Sequence, residues 1–477
     1  MDRPAAHESE HQPAGEGIVV GVVLYRRTNG DDRLYVAFSN CALKHALDGM
    51  AREDQPFTFQ NANPSACAVS IFPAFGMGGT VQGYHLALAF VSPVALARMK
   101  RVTPPYRSYV VVSREQIALN YRNVRSVVGP DVEVAGVVKA DAYGHGAVEV
   151  SRVLAAEGAK WLAVSSVEEG VGLRRGGIHH TRILVMGGFL PYEGEALVEH
   201  HLTPVVHSLD QLRLLDQCGR ASGKPIPFHL KIDSGMNRLG TRAGAVEILA
   251  ALEENRYARL EGLMTHFASA ADYTTNQTGD QLRYFHAIRA RLREAGVNAA
   301  YLHTSSTNAV GYGRVEGWHN LVRAGHALYG YVSPARGDAP RQLLDVKPAL
   351  TWKAKLLAVK DVPEGALIGY GGTFRAPRPM RIGILGAGYA DGVFHRLSNR
   401  GKVIADGRLT SILGTISMDL TTIDLSHTTA LAPGDEATLL GAEGDTRLDA
   451  QQIAKVAGTI SYNILCCISA RVRRVYV

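Results

Sequence analysis

The sequence predicts a (β/α)8 barrel of the TIM type followed by a C-terminal, mostly-β domain. Three observations carry that expectation. Between Val132 and Gly330, eight short apolar runs alternate with stretches of helical length, as when each strand returns through a helix to a parallel neighbour. Polar residues gather toward the C-terminal ends of the runs, the face on which such barrels place their chemistry. After about Asp345 the runs are broken by Gly, Pro and Asp instead of by helical stretches, which reads as strands and turns.

A helix should open the ordered part of the chain. "SREQ" at residues 113–116 is a capping-box pattern, and Ile117, Tyr121, Val124 and Val128 follow at helical spacing up to Gly129. The eight expected strands are "VEVAGVVK", "KWLAVSS", "RILVMGG", "TPVVHS", "PFHLKID", "EGLMTHF", "AYLHTSS" and "LVRAGHALYG". Helices are expected between them, at residues 147–157 with Val150, Val153 and Leu154 on one face, and at residues 277–295. Lys139, His207, Lys231, Asp233, His266, Ser305 and Ser306 fall toward the run ends. Lys139 also shares strand parity with Ala135 and Val137, which would aim it into the barrel mouth. Beyond the barrel, "ALTWKAKLLAVKDV", "MRIGILGAGYADG", "RGKVIADGRLTSILGTISMDLTTIDL" and "GDEATLLG" read as strands, with one helix near residues 451–457. The expected division is residues 1–104, an N-terminal extension without assigned role; 105–345, the barrel; and 346–477, the β domain.

Composition narrows the class. A chain of 477 residues with 46% hydrophobic and 20% charged residues is long enough for two or three packed domains of an ordinary globular protein. The net charge of +7 comes from scattered basic residues without a nucleic-acid motif, so no nucleic-acid partner is expected. The basic run from Arg471 to Arg474 reads as a solvated terminus. Five cysteines, two of them adjacent at Cys466 and Cys467, give neither a disulfide framework nor a zinc spacing. No metal and a reducing cytoplasm are therefore expected. "LALAFVSPVALA", at residues 86–97, is interrupted by proline and too short to span a bilayer, so no membrane association is expected. Residues 1–98 carry no recognisable chemical motif, and "GMGGTVQG" reads as loop. Translation is expected to start at Met99, the preceding residues being a poorly ordered extension or not expressed. A peptide from this segment in mass spectra of the native protein would overturn that expectation.

A lysine at a barrel mouth, desolvated and near other cations, loses its proton more readily and becomes a nucleophile suited to a Schiff base with a carbonyl cofactor. Pyridoxal phosphate is the natural candidate. It needs a phosphate cradle, a group facing its ring nitrogen, and residues that move protons at the substrate carbon.

From about Tyr109 to Val477 the chain resembles the alanine racemases, fold-type III pyridoxal-phosphate enzymes. The resemblance runs in order through "VVKADAYGHG", "KIDSGMNRLG", "THFASAAD", "VRAGHALYG", "GYGGTF", "GYADG", "SMD" and "SYNILCCISARVRRVY". It implies that Lys139 holds pyridoxal 5'-phosphate and serves as one acid/base, and that Tyr143, Thr307, Tyr462 and the backbone N–H groups of Gly325 and His326 hold the phosphate. It places Arg323 opposite the pyridine nitrogen. Tyr370 is implied as the second base, contributed by the partner subunit of a head-to-tail homodimer and hydrogen-bonded by His266. Arg238 and the Met418 N–H are implied at the substrate carboxylate, and Tyr389 at a narrow entrance suited to a methyl side chain. Lys231 matches a lysine that some relatives carry carbamylated. The implied reaction is two-base interconversion of L- and D-alanine, supplying D-alanine for peptidoglycan.

Two departures stand out. The seventh run reads "HTSSTNA", with Ser306 where many relatives carry asparagine and Thr307 where they carry serine. Serine-rich versions occur in serine-racemising relatives, so a serine or broad-specificity racemase is the alternative. The second departure is the long N-terminal segment. A decarboxylase of the same architecture would need a protonated ring nitrogen, which a guanidinium does not support because it only donates. A non-catalytic cofactor carrier of the barrel type would lack the β domain with Tyr370 and "SMD".

Overall fold

The computed structural model describes residues 105–477 throughout and, before them, the backbone of four strands: Val20–Thr28, Asp31–Ala37, Thr80–Val81 and Tyr84–Phe90. The chain divides into two units, Met1–Pro105 and Tyr106–Val477. In the first, the four strands form an antiparallel sheet in the order Asp31–Ala37, Val20–Thr28, Tyr84–Phe90, Thr80–Val81. Thr28 pairs with Asp31. The loop reading of "GMGGTVQG" is corrected at Thr80–Val81, which is paired; the rest of it, most of the polar N-terminal stretch and the Met99 start lie outside the described residues.

The second unit holds the barrel. Its strands are β1 Glu133–Val137, β2 Trp161–Val164, β3 Arg182–Val185, β4 Leu202–Val206, β5 Ile226–Lys231, β6 Ala258–Met264, β7 Tyr301–His303 and β8 Leu321–Ala324. They pair in parallel, each with its predecessor, and β8 returns to β1. Between β7 and β8 the sheet closes only by a bridge from Ser306 to Arg323, with Arg323 N donating to Ser305 O at 3.0 Å. All eight apolar runs are strands. They are largely apolar because parallel barrel strands are mostly buried on both sides; all four residues of "WLAV" are buried.

The first helix spans Arg114–Val128 and ends at Gly129 with φ of 84°. Ser113 Oγ accepts from Gln116 N–H, but the Gln116 side chain turns forward to Asn120, so only half of the capping box forms. The helices expected near residues 147–157, 277–295 and 451–457 are Ala147–Ala156, Gln277–Glu294 and Ala450–Ala457.

A separate, mostly-β domain follows, built on the strand Leu350–Val362. Its residues alternate buried and half-buried from Leu350 to Leu356, the period-2 pattern of a sheet with one covered face. It pairs with Met380–Leu385, Glu436–Glu443 and Ser108–Val112. The last of these precedes the first helix, yet joins this sheet and also takes up the terminal strand Arg473–Tyr476. The basic terminus is accordingly not a solvated tail. Arg474 donates to the carbonyls of Gly144, Ser469, Val472 and Ile468, and Arg471 pairs with Asp391 and Asp419. No helix among the described residues is long and apolar enough to cross a membrane.

Candidate active site

Lys139 does not lie on a strand. β1 ends at Val137, and Lys139 opens a turn in which Ala140, Asp141, Ala142 and Tyr143 hold φ between 51° and 54°, so the expectation from strand parity is corrected. Left-handed backbone costs an L-residue roughly 1–2 kcal/mol, and four in succession require compensation. Glu169 supplies part of it, its two oxygens accepting the N–H groups of Ala140 and Ser165 at 2.7 and 2.6 Å. Asp141 Oδ1 accepts from Ala147 N–H at 2.7 Å, and Arg474 Nε donates to Gly144 O at 3.0 Å. At Gly144 and Gly146 a Cβ would strike Leu465 O and the Tyr476 hydroxyl. The β domain thus clamps the turn that presents Lys139. Burial, followed by the Arg238 charge, lowers the Lys139 pKa and favours the neutral amine.

The turn also delivers Tyr143 to the ends of β7 and β8. A Cβ on Gly325 would lie 2.6 Å from the Tyr143 hydroxyl, so glycine is what leaves room for the phenol. Thr307 Oγ1 accepts the N–H groups of Gly325 and Ala327 at 3.1 and 3.2 Å. The Gly325 N–H, expected to bind phosphate directly, is therefore engaged by Thr307. Tyr462 comes from the β domain on helix Ser461–Cys466 and stacks on His326 at 3.8 Å, and Ser461 Oγ lies 3.2 Å from His326 Nε2. His326 Nδ1 is buried without a partner. Burial raises the pKa of Tyr143 and Tyr462, so both phenols stay protonated as donors. Two phenols, a threonine hydroxyl and an orphaned imidazole nitrogen around a glycine make a cradle that fits a phosphate. Gly325→Ala should push Tyr143 aside and weaken cofactor binding about 10-fold to 100-fold, the equivalent of one charge-assisted hydrogen bond. Fluorescence titration with pyridoxal phosphate checks this, with circular dichroism unchanged.

Arg323 is fully sequestered at the closure of the barrel. Nη1 donates to His303 Nδ1 and His303 O at 2.9 and 2.8 Å; Nη2 donates to Thr265 O, Thr304 O and His266 Nδ1 at 2.9, 3.1 and 3.2 Å. No hydrogen bond from its Nε is found among the described residues. Burial lowers its pKa to about 9, which still leaves it charged at neutrality. Because Arg323 can only donate, His266 Nδ1 must accept, which places that ring's proton on Nε2. Burial and then Arg323 hold His266 well below its usual pKa, so it is neutral.

Lys231, on β5, is buried, and burial with the charges of Arg323 and Arg238 lowers it to about 8. His207 is pushed to about 4 by burial and by Lys231. Asp233 raises Lys231, but its Oδ1 is already held by the N–H groups of Gly235, Met236 and Asn237. Four cations, Lys139, Lys231, Arg238 and Arg323, thus share a mouth short of negative charge, as suits an anionic cofactor and a carboxylate substrate.

Tyr370, Tyr389 and Met418 lie elsewhere. They belong to the β domain, 75%, 45% and 52% exposed, and no hydrogen bond joins them to Lys139, His266 or Arg323 among the described residues. Tyr370 and Tyr389 both attach to one loop: Thr415 Oγ1 donates to Tyr370 O, and Tyr389 N–H donates to Ser417 O. The barrel mouth of a single chain therefore carries the lysine half of the expected pair and not the tyrosine. His303 and His229, which sequence reasoning passed over, lie buried beneath Arg323.

A barrel-mouth lysine favoured as an amine, a cradle that fits a phosphate, a donor-only arginine and a β domain bearing an exposed tyrosine fit an amino-acid racemase, an isomerase. Comparison with known proteins agrees. Residues 112–334 match the family model described as alanine racemase, N-terminal domain, and residues 349–476 match the alanine racemase C-terminal domain. The chain belongs to the alanine racemase family. It is 39% identical to the alanine racemase of Carboxydothermus hydrogenoformans over 77% of this chain and 98% of that one. The alanine racemase structure of Clostridium difficile 630 superposes with a TM-score of 0.74 at 33% identity, covering 79% of this chain and 97% of the other. That of Bartonella henselae, with covalently bound pyridoxal phosphate, gives 0.70 at 25% identity, covering 78% and 100%. The matched family models begin after the N-terminal unit.

Proposed function

We propose that this racemase interconverts L- and D-alanine with pyridoxal 5'-phosphate held at Lys139, by a two-base reaction in a homodimer whose sites are shared. The observation that carries the reading is the placement of a desolvated Lys139 beside the Tyr143, Thr307 and Tyr462 cradle, with the unpaired Nε of Arg323 left free. Bound there, the cofactor supplies the electron withdrawal that makes a substrate α-proton acidic. Arg323 offers donors only and leaves no proton on a nitrogen facing it, which limits that withdrawal and suits prompt return of a proton to the same carbon.

Lys139 removes or delivers the proton on one face. Tyr370 of the partner subunit serves the other, which accounts for its exposure on its own chain. A tyrosine titrates near pH 10, so it needs help at neutrality. The Nε2–H of His266, fixed by Arg323 at Nδ1, is a donor that stabilises the phenolate form. Arg238 and the Met418 N–H bind the substrate carboxylate, and Tyr389 narrows the entrance. The product D-alanine serves peptidoglycan in the cytoplasm, a location consistent with the free thiols of Cys218, Cys466 and Cys467.

We further propose that Lys231 is carbamylated. An amine lowered to about 8 keeps an appreciable neutral fraction at neutral pH, the form that adds carbon dioxide, and the resulting anion would pair with Arg238. Native mass spectrometry should find one added carbon dioxide per chain, absent in Lys231→Ala; an unaltered chain at the mass of its unmodified sequence would refute it.

Proton NMR in heavy water with added pyridoxal phosphate tests the function, with L-alanine, L-serine and L-arginine compared and the products resolved on a chiral column. The α-proton of alanine should exchange fastest, with D-alanine appearing. Faster exchange on serine or arginine would reassign the substrate, and no exchange on any would refute the reading.

A further inference from the structure

Below Arg323, a line of buried polar side chains crosses the barrel interior that the proposed reaction does not use. His303 Nδ1 accepts from Arg323 Nη1 at 2.9 Å, and His303 Nε2 lies 2.7 Å from His229 Nδ1. His229 Nε2 faces Glu261 Oε2 at 3.6 Å, an ion-pair distance too long for a hydrogen bond, and the same oxygen pairs with Arg182. Both histidines are 0% exposed. The Arg182 guanidinium stacks over the Trp161 ring at 3.9 Å, and His229 stacks on Tyr301. Room for His229 is built into the neighbouring strand: a Cβ on Gly262 would lie 2.5 Å from the imidazole, where the β5–β6 register shifts.

The two ends of the line fix its direction. An arginine has no acceptor, so His303 Nδ1 must present a lone pair and carry its proton on Nε2. That proton points at His229 Nδ1, which places the His229 proton on Nε2, facing a carboxylate. Burial opposes the charge of Glu261, but His229 and Arg182 overcome it and hold its pKa near 2. Burial keeps both imidazoles below their usual range, hence neutral. With the opposite polarity, a His303 N–H would face an Arg323 N–H with both groups buried, a penalty of about 1–3 kcal/mol for each unsatisfied group.

We propose that Glu261 is a positioning residue: its charge at the far end of this line favours the proton placement that Arg323 sets through His303 and His229, and so holds Arg323 with its Nε free for the reaction site. The consequence for racemisation rests on the role given to Arg323 above; the proton placement does not.

Nitrogen-15 NMR of the full chain labelled at histidine reads the tautomers directly, without cofactor or substrate. His303 and His229 should both be neutral and protonated on Nε2. His229→Gln assigns the signals and tests polarity, since its amide can accept from His303 and donate to Glu261: His303 should keep its tautomer, with kcat within about threefold. Glu261→Gln should leave the tautomers unchanged, because Arg323 sets them, and lower kcat about tenfold, with the alanine KM within about twofold, in the range seen when a partner behind a functional residue is lost. A His303 protonated on Nδ1 in the unaltered protein would overturn the proposal, as would a Glu261→Gln protein with unchanged kcat. Should Glu261→Gln not fold, the tautomers of the unaltered protein and of His229→Gln still decide. The expected tautomers in a chain that racemises no amino acid would support the proton line and overturn the proposed function instead.

Discussion

Lys139→Ala is expected to abolish racemisation of alanine and, with it, the visible absorbance of cofactor bound through the lysine. Loss of the group that both anchors the cofactor and moves a proton should exceed the 100-fold to 10,000-fold typical of removing a general acid or base alone. The fold should survive, because the left-handed turn is held by Glu169, Asp141 and Arg474, none of which bonds the lysine side chain. Absorbance and chiral chromatography on the same preparation check both losses together. A variant that kept the absorbance and the activity would place the reactive amine elsewhere, and Lys231 would be the first alternative.

Tyr370→Phe should behave differently. The cradle of Tyr143, Thr307 and Tyr462 does not include Tyr370, so cofactor binding should be retained. Racemisation should fall by about 100-fold to 10,000-fold, the usual contribution of one acid or base. Exchange of the α-proton should become strongly asymmetric, persisting for the enantiomer whose proton faces Lys139 and failing for the other. Measuring exchange separately from L- and D-alanine in heavy water reveals the asymmetry. Equal exchange rates from both would refute the assignment of one base to each face.

The alternation of runs and helices was legible in the sequence because strands buried on both sides are mostly apolar, and eight such runs have few other ways to pack. Lys139 stood out at the end of an apolar run, whereas the roles proposed for Tyr143, Arg323 and Tyr462 rest on the order of their surrounding segments. The left-handed turn was not legible, since Ala140-Asp141-Ala142-Tyr143 has no local reason to leave right-handed backbone; contacts from Glu169 and Arg474 impose it. Arg474 looked solvated for the same reason, its partners lying far away in sequence. Ser108–Val112 reads as a strand by composition, but its assignment to the second sheet depends on pairing with Leu350–Val362. His229 and His303 were passed over within apolar runs; the usable signal was a histidine on each of two strands, β5 and β7, both facing a barrel that also encloses an arginine.

Mixing two inactive variants tests the central claim of a shared site. Lys139→Ala and Tyr370→Phe chains, dissociated together and allowed to reassemble, should form mixed dimers with one site doubly impaired and one intact, restoring activity to about a quarter of the wild-type sites for random pairing. Mixtures with no more activity than their parents would mean that Lys139 and Tyr370 act from the same chain or not as a pair, and would contradict the account.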